Sequence, residues 1–153
     1  MSGLRDGVEA TGAVKMILRG PDGQIKEERE EKNLVVAVGR AFIVTRMTGT
    51  AEPVMSHMGV GSSSTPAAPG QTALLSPLGA RVELDSVTIQ GADNHQVRYT
   101  CVFAPGEGTG SVVEAGLFND SVAGVMLCRT VFSVVTKGAD DTLELQWTVT
   151  LNA

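Results

Sequence analysis

The chain has 153 residues, of which 42% are hydrophobic and 19% charged, and its formal net charge is −5. This length and composition are typical of one globular domain with a sizeable core, and not of a disordered chain. The acidic balance lacks the positive surface on which non-specific nucleic-acid binding depends, so we expect no nucleic-acid partner. No apolar segment lies near residue 1 and no run approaches about 18 apolar residues, so we expect neither a signal peptide nor a membrane span.

The first predicted element is a β-hairpin. Residues Ala13–Arg19 form a strand-like run, and Gly20–Gly23 contains the proline and glycines of a tight turn. The returning strand, Gln24–Lys32, is charged on both faces. It is typical of an edge strand whose charges prevent unwanted pairing, but it also fits an arm that grips a neighbouring subunit through ion pairs. We therefore predict an N-terminal segment and hairpin arm over residues 1–32, followed by one domain over residues 33–153.

A helix is predicted next, over residues 33–47. Apolar side chains recur there at helical spacing, Asn33 is a suitable N-cap, and Gly49 is a suitable stop. The β-branched residues and Gly39 favour a strand instead. A run of about fifteen residues is long for one strand, however, and this length favours the helix.

Short elements are predicted in the middle of the chain. Val54–Gly61 fits a strand, and Ser62–Gly70 is rich in small residues and proline, which predicts an exposed loop. Gln71–Leu75 fits one helical turn. Arg81–Ile89 alternates between apolar and polar residues, with a phase slip near Asp85 that indicates a bulge.

The last third of the chain predicts further strands. They cover residues 96–103, 112–118, 125–135 and 142–151, with turns or corners at 91–94, 105–110, 119–121 and 137–141. In the final strand every second residue is apolar, so these side chains share one face. They are Leu143, Leu145, Trp147, Val149 and Leu151.

About eight strands at intervals of roughly ten residues are typical of a sandwich or barrel. We therefore predict a mainly β fold, an antiparallel two-sheet β-sandwich of jelly-roll-like type with an N-terminal hairpin arm and one short helix. Because Trp147 belongs to the apolar row, we place it in the core. A carbohydrate-binding module, which needs exposed aromatic platforms, is disfavoured for the same reason.

The sequence offers little chemistry for a reaction centre. His57 and His95 have no second histidine or cysteine at ligand spacing. We therefore expect His57 to be a structural residue and His95 to be solvated. The acidic pairs Glu27–Glu28 and Asp140–Asp141 suit a divalent cation, but such pairs are more often solvated. Gly106–Gly110 lacks the Lys-Ser ending of a phosphate loop, and we interpret it as a bend between sheets. We expect no enzyme activity and no cofactor.

The two cysteines, Cys101 and Cys128, fall in apolar strand-like segments. We interpret them as small buried hydrophobic residues. A disulfide is the alternative, but the reducing compartment expected for this chain disfavours it. Two cysteines so far apart are also too few for a zinc site.

The order of several motifs resembles that of small virion structural proteins of tailed bacteriophages, which are described as head decoration (cement) proteins or as tail-fibre-like proteins. The similarity runs from about Ala13 to Leu151, and its motifs carry no catalytic residues. The motifs are Asn33–Val36 with Gly39–Arg40, His57–Ala67, Val113–Asn119 and Met126–Phe132.

This resemblance implies a phage structural protein that is made in the host cytoplasm and incorporated in the virion. We expect a homo-oligomeric cement protein on the capsid surface, where it binds the major capsid protein, copies of itself and other virion proteins. The alternatives are a tail, baseplate or fibre-attachment subunit and a soluble binding module. The residues that we expect at the interface are Lys15, Arg19, Lys26, Glu28, Arg29, Glu30, Glu31, Lys32, Ser63, Thr65 and Pro66.

Overall fold

The structure is a computed structural model, which describes residues 8–49 and 52–152. That part of the chain contains nine strands and one helix. In chain order the elements are β1 (Glu9–Arg19), β2 (Ile25–Val35), α1 (Ala37–Thr48), β3 (His57–Gly61), β4 (Val82–Glu83), β5 (Ser86–Gln90), β6 (Gln96–Phe103), β7 (Gly110–Phe118), β8 (Met126–Lys137) and β9 (Thr142–Asn152).

The nine strands form one antiparallel sheet that curls into a half-barrel, in the order β4-β3-β7-β8-β2-β1-β9-β6-β5. The mainly β, antiparallel fold with one short helix is confirmed. The two-sheet sandwich of jelly-roll type is not confirmed, because β2 joins the two halves of the sheet. It pairs with β1 from Ile25 to Asn33, and then its last residues, Leu34 and Val35, pair with Arg129 and Cys128 of β8.

The core lies inside the curl, and β9 runs through its centre. Leu143, Leu145 and Trp147 are fully buried and Val149 nearly so, which confirms the alternation predicted for this strand. Leu151 lies near the strand's end and is exposed. Burial of such apolar rows is the main favourable term that holds the sheet in its curled shape.

The hairpin of β1 and β2 is confirmed, with Gly23 in the left-handed region at the turn. β1 pairs with β9 along its whole length, from Glu9 opposite Asn152 to Arg19 opposite Thr142. The strand therefore lies in the interior of the sheet and delivers buried side chains to the core. Those side chains are Val14, Met16 and Leu18.

The helix is confirmed but begins later than predicted. Its N-cap is Val36, which makes no side-chain capping bond, and Gly49 ends it in the left-handed conformation as predicted. Asn33 cannot act as the N-cap because it still belongs to β2 and lies opposite Gly12 of β1. Pairing between strands has therefore overridden the local capping preference.

Two other predictions differ from the structure. Residues 71–75 contain no helical turn. Arg81–Ile89 is not one bulged strand, because the chain breaks near Asp85 into β4 and β5. The break follows from hydrogen bonding, since the Leu84 N–H donates to Ser56 O while the Asp85 N–H donates to Thr100 O. The two bonds hold neighbouring residues to different parts of the sheet, so the described strands number nine and not eight.

Gly39 allows α1 to pack directly on β8. A Cβ atom built at this position would collide with the backbone carbonyl of Leu127, which has no freedom to move aside. The Gly39→Ala substitution should therefore destabilise the fold by about 1–3 kcal/mol, although alanine favours helices. Urea denaturation measures this change. Gly70→Ala is the matched control, because nothing lies within 4 Å of its new methyl group, and equal stability of the two variants would contradict the close approach.

Candidate functional site

A buried ion pair joins β7 and β8 beneath a long surface loop. The Arg129 Nη2 atom lies 3.0 Å from Glu114 Oε1, and both side chains are completely buried. Arg129 Nε donates a further hydrogen bond of 3.1 Å to the same oxygen. Charges without water are tolerated only when they are paired and hydrogen-bonded, so the partners of this pair determine its role.

The remaining partners of Glu114 are backbone amides of the loop that follows β3. Its carboxylate accepts N–H bonds from Ser63 at 3.1 Å, Leu75 at 3.1 Å and Ser76 at 2.8 Å. Gly61 allows this approach, since a Cβ atom there would collide with the carboxylate of Glu114 and with the carbonyl of Ser76. One carboxylate thus holds both ends of the segment from residue 62 to residue 76, which we call the pinned loop.

Arg129 holds the middle of the pinned loop. Its Nη1 atom donates to the carbonyl of Thr65 at 2.9 Å and to Oε1 of Gln71 at 3.1 Å. Gln71 in turn donates to the carbonyl of Pro66 at 3.0 Å. The loop is exposed, as predicted, but its backbone is fixed from below while the side chains of Ser64, Thr65 and Pro66 face solvent.

Several charged residues predicted at an interface form ion pairs within the chain. Lys15 lies 2.8 Å from Glu28 on the outer face of the hairpin, and both are about half exposed. Arg19 lies 2.9 Å from Glu144 in β9. Hydrogen bonds from Gln146 and then Arg19 lower the pKa of Glu144.

Lys26 reaches the loop between β8 and β9. Its ammonium group donates to both carboxylate oxygens of Asp141, at 3.1 and 3.0 Å. Asp141 is buried and also accepts the N–H of Gly138 at 2.8 Å. The hydrogen bond from Lys26, followed by that from Gly138, lowers the pKa of Asp141. The acidic pair Asp140–Asp141 therefore contains one carboxylate that closes a loop through an ion pair.

Arg29 crosses from β2 to an irregular part of β8. Its Nη2 atom donates to the carbonyls of Ser133 and Val134 at 2.6 and 3.1 Å, and its guanidinium lies 5.9 Å from the centre of the Phe132 ring. The register between β7 and β8 shifts at this point, where Val112 faces Val135 but Glu114 faces Val131. Arg29 thus satisfies carbonyls that regular pairing leaves free, which is a role within the chain.

The other charged residues of β2 divide between the two faces of the sheet. Glu31 lies opposite Val14 and is partly buried. Glu30 and Lys32 are exposed on the outer face, where they line a polar groove of about 490 Å³. The groove is also lined by Gly12, Ala13, Gln96, Arg98 and threonines of β1 and β9.

The histidines and cysteines form no evident reaction centre. Ser56 Oγ lies 2.7 Å from His57 Nδ1, a contact between consecutive residues, and His95 is exposed. Cys101 and Cys128 are both free and fully buried, which confirms their interpretation as small core residues. Burial raises the pKa of the Cys101 thiol to about 12. Over residues 8–49 and 52–152, no group of three or more His, Cys, Asp or Glu side chains is placed to hold a metal ion.

Sequence reasoning missed the buried charges. Besides Glu114 and Arg129, Lys137 is buried, and its Nζ atom donates to the carbonyl of Ala104 at 3.0 Å. Burial lowers the pKa of Lys137, although Asp141 and Glu107 act in the opposite direction. The available signal was a charged residue within an otherwise apolar strand, as at Arg129 in Met126–Phe132.

The chain matches no family model, and comparison with curated proteins and with solved structures finds no similar protein. Among the described residues, no helix has the length and apolar character needed to span a membrane.

Breaking the buried pair should cost far more stability than breaking a surface pair. Glu114→Gln leaves the charge of Arg129 without its counter-ion, and we expect a loss of about 3–5 kcal/mol in urea denaturation. Glu28→Gln, which breaks the exposed pair with Lys15, is the matched control and should cost about 1 kcal/mol or less. Amide hydrogen exchange at Leu75 and Ser76 should accelerate only in the first variant. Unchanged exchange there would show that Glu114 does not hold the loop.

Asp141 should make the stability depend on pH. Its pKa is lower in the folded state than the ordinary value of 3.8, so the folded state gains stability above that value and loses it as pH falls through the folded pKa. The difference in melting temperature between wild type and Asp141→Asn should therefore be largest near neutral pH and shrink in acid. The control Asp93→Asn changes an exposed turn residue, and its melting temperature should stay close to that of wild type. A difference for Asp141→Asn that also stays constant would contradict the ion pair.

Proposed function

We propose that the chain is a bacteriophage virion structural protein without enzyme activity, and specifically a decoration (cement) protein that binds the major capsid protein on the head. The order of motifs between Ala13 and Leu151 supports the phage assignment by resemblance. The curled sheet is compatible with a variant of the two-sheet jelly-roll sandwich, in which β2 connects the two sheets.

The proposal depends mainly on the way in which the pinned loop is held. Its backbone is held by the fully buried charges of Glu114 and Arg129, while Ser64, Thr65 and Pro66 are exposed. A surface that is rigid before binding loses less conformational entropy when a partner docks. Two buried charges hold this loop in one conformation. A loop held in this way is well suited to repeated contacts with a shell, which favours adhesion as the function of the protein.

The outer face of the β1–β2 hairpin supplies the second proposed contact. Glu28, Glu30 and Lys32 are exposed there, next to the polar groove that includes Arg98. Charges of both signs on one face can select a complementary partner and set its orientation. Arg19, Lys26 and Arg29 have partners within the chain, so we assign them a role in holding the fold together.

A tail, baseplate or fibre-attachment subunit is the alternative, since the same two surfaces suit attachment there. A soluble binding module is the third candidate, and the polar groove of about 490 Å³ is the observation that favours it.

The number of copies per virion distinguishes these assignments. Purified virions stripped of their tails should retain the protein at a copy number comparable to that of the shell protein. A handful of copies that depart with the tail would support the alternative, and absence from virions would overturn the proposal.

A loop variant tests the proposed contact directly. Thr65→Arg changes only an exposed side chain. The backbone carbonyl of residue 65 can still accept the hydrogen bond from Arg129. We expect binding to protein-depleted shells to weaken roughly tenfold or more, because a bulky charge in the centre of a contact clashes and is desolvated, while the melting temperature stays unchanged. Thr109→Arg, exposed at the corner between β6 and β7, is the matched control and should bind normally. Normal binding by Thr65→Arg would remove the pinned loop from the interface.

A further inference from the structure

β5 ends the sheet and lacks the usual protection of an edge strand. It pairs only with β6 among the described elements, and Ser86, Val87, Thr88 and Ile89 are all exposed. Natural edge strands commonly carry charges, proline or bulges that prevent pairing with another chain. The segment Ser86–Gln90 contains none of these.

The opposite edge strand, β4, and the partly unpaired strand β2 are better protected against pairing with another chain. β4, at the opposite edge, has only two residues. Its backbone carbonyls at Val82 and Glu83 also accept weak bonds from the thiol of Cys101, at 3.6 and 3.5 Å. β2 is unpaired with β8 over most of its length, but it is charged there and Arg29 crosses the gap. Among these three strands, β5 is therefore the one whose free edge carries no charge.

An apolar row continues from the core onto β5 and stops at solvent. Trp147 and Val149 of β9 lie opposite Tyr99 and Val97 of β6. These in turn lie opposite Val87 and Ile89, which are 53% and 70% exposed. Directly opposite residues in an antiparallel pair share a face, so the inner face of the half-barrel is left partly uncovered at its last strand.

We propose that β5 is a self-association site, at which it pairs antiparallel with β5 of a second copy about a two-fold axis through Thr88. In this register Val87 faces Ile89 of the other copy, and Ser86 faces Gln90. The β-branched pairs extend the apolar row across the axis, and the two Thr88 side chains meet on the outer face, where threonine pairs are favourable. A symmetric contact of this kind uses one surface twice, as two-fold dimers require.

The charges near β5 are compatible with this register. Asp85, the flanking carboxylate, falls opposite Gly91 of the other copy. Arg98 lies opposite Thr88 within the same chain, so the two Arg98 residues are separated by three strand spacings, or about 14 Å. That separation exceeds the Debye length of about 10 Å at ordinary ionic strength. Over residues 85–91 the pairing therefore places no like charges directly opposite each other.

This site differs from the hairpin face and the pinned loop, and it does not depend on the phage assignment. A pair of five-residue strands with two apolar residues each buries less surface than the roughly 1,200–2,000 Å² of stable complexes. We therefore expect a weak dimer in the micromolar range for the free protein. Linkage of many copies on one particle would strengthen such a contact through effective concentration.

Covalent trapping tests the register. Directly opposite residues in an antiparallel pair have Cα atoms about 4.5–5.5 Å apart, which lies within the range of a disulfide. The Thr88→Cys variant should therefore form a covalent dimer under mild oxidation, whereas Val122→Cys, exposed in the turn between β7 and β8, should not. Cys101 and Cys128 are fully buried and do not compete. Failure of Thr88→Cys to form more dimer than the control would overturn the register.

Sedimentation equilibrium tests the contact without a cross-link. Ile89→Lys places a charge on an exposed position of the edge and should raise the dimer dissociation constant roughly tenfold or more. Val122→Lys introduces the same charge at a side chain that is 75% exposed. This control should leave the dimer dissociation constant unaltered. A monomer at all concentrations, or a dimer that both variants leave intact, would overturn the proposal. A monomer whose Ile89→Lys variant loses particle binding would assign the edge to a different partner.

Discussion

The ion pair between Glu114 and Arg129 determines much of the surface of this protein. It has no access to water, and five backbone or side-chain groups of the pinned loop stabilise it by further hydrogen bonds. The dependence is mutual. Without the loop the two charges would be poorly satisfied, and the charges in turn reinforce the backbone bonds from Ser62 to Ser76 and from Ala37 to Pro69 that also hold the loop. A polar cluster of this kind favours one loop conformation over many.

The curl of the sheet depends on where each strand finds its partners. β2 changes neighbours near Leu34, and Arg29 bridges the gap that this change leaves on β8. Gly39 then allows α1 to close over the adjoining part of the core at the backbone of Leu127. The hairpin therefore combines two tasks. Its inner residues supply core packing, and its outer residues present a charged face.

Three surfaces differ in their chemistry and suit different contacts. The pinned loop is rigid and nearly uncharged at Ser64–Pro66, the hairpin face carries both signs of charge, and β5 offers unpaired backbone beside Val87 and Ile89. Rigid loops and charged faces select a partner by shape and orientation, whereas a free strand edge accepts another strand. Contacts of both kinds suit a protein that acts by adhesion in a repeated assembly, which is the role that we propose.

The sequence by itself determined the local elements, because alternation and turn residues act over a few positions. It predicted the hairpin at Gly20–Gly23, the buried row of β9 and the helix stop at Gly49. Only the tertiary structure decided that Asn33 pairs in a strand instead of capping the helix, that the sheet is continuous, and that Glu114 meets Arg129 beneath the loop. These features depend on contacts between residues far apart in the chain, for which no short-range pattern of hydrophobic or turn residues carries a signal.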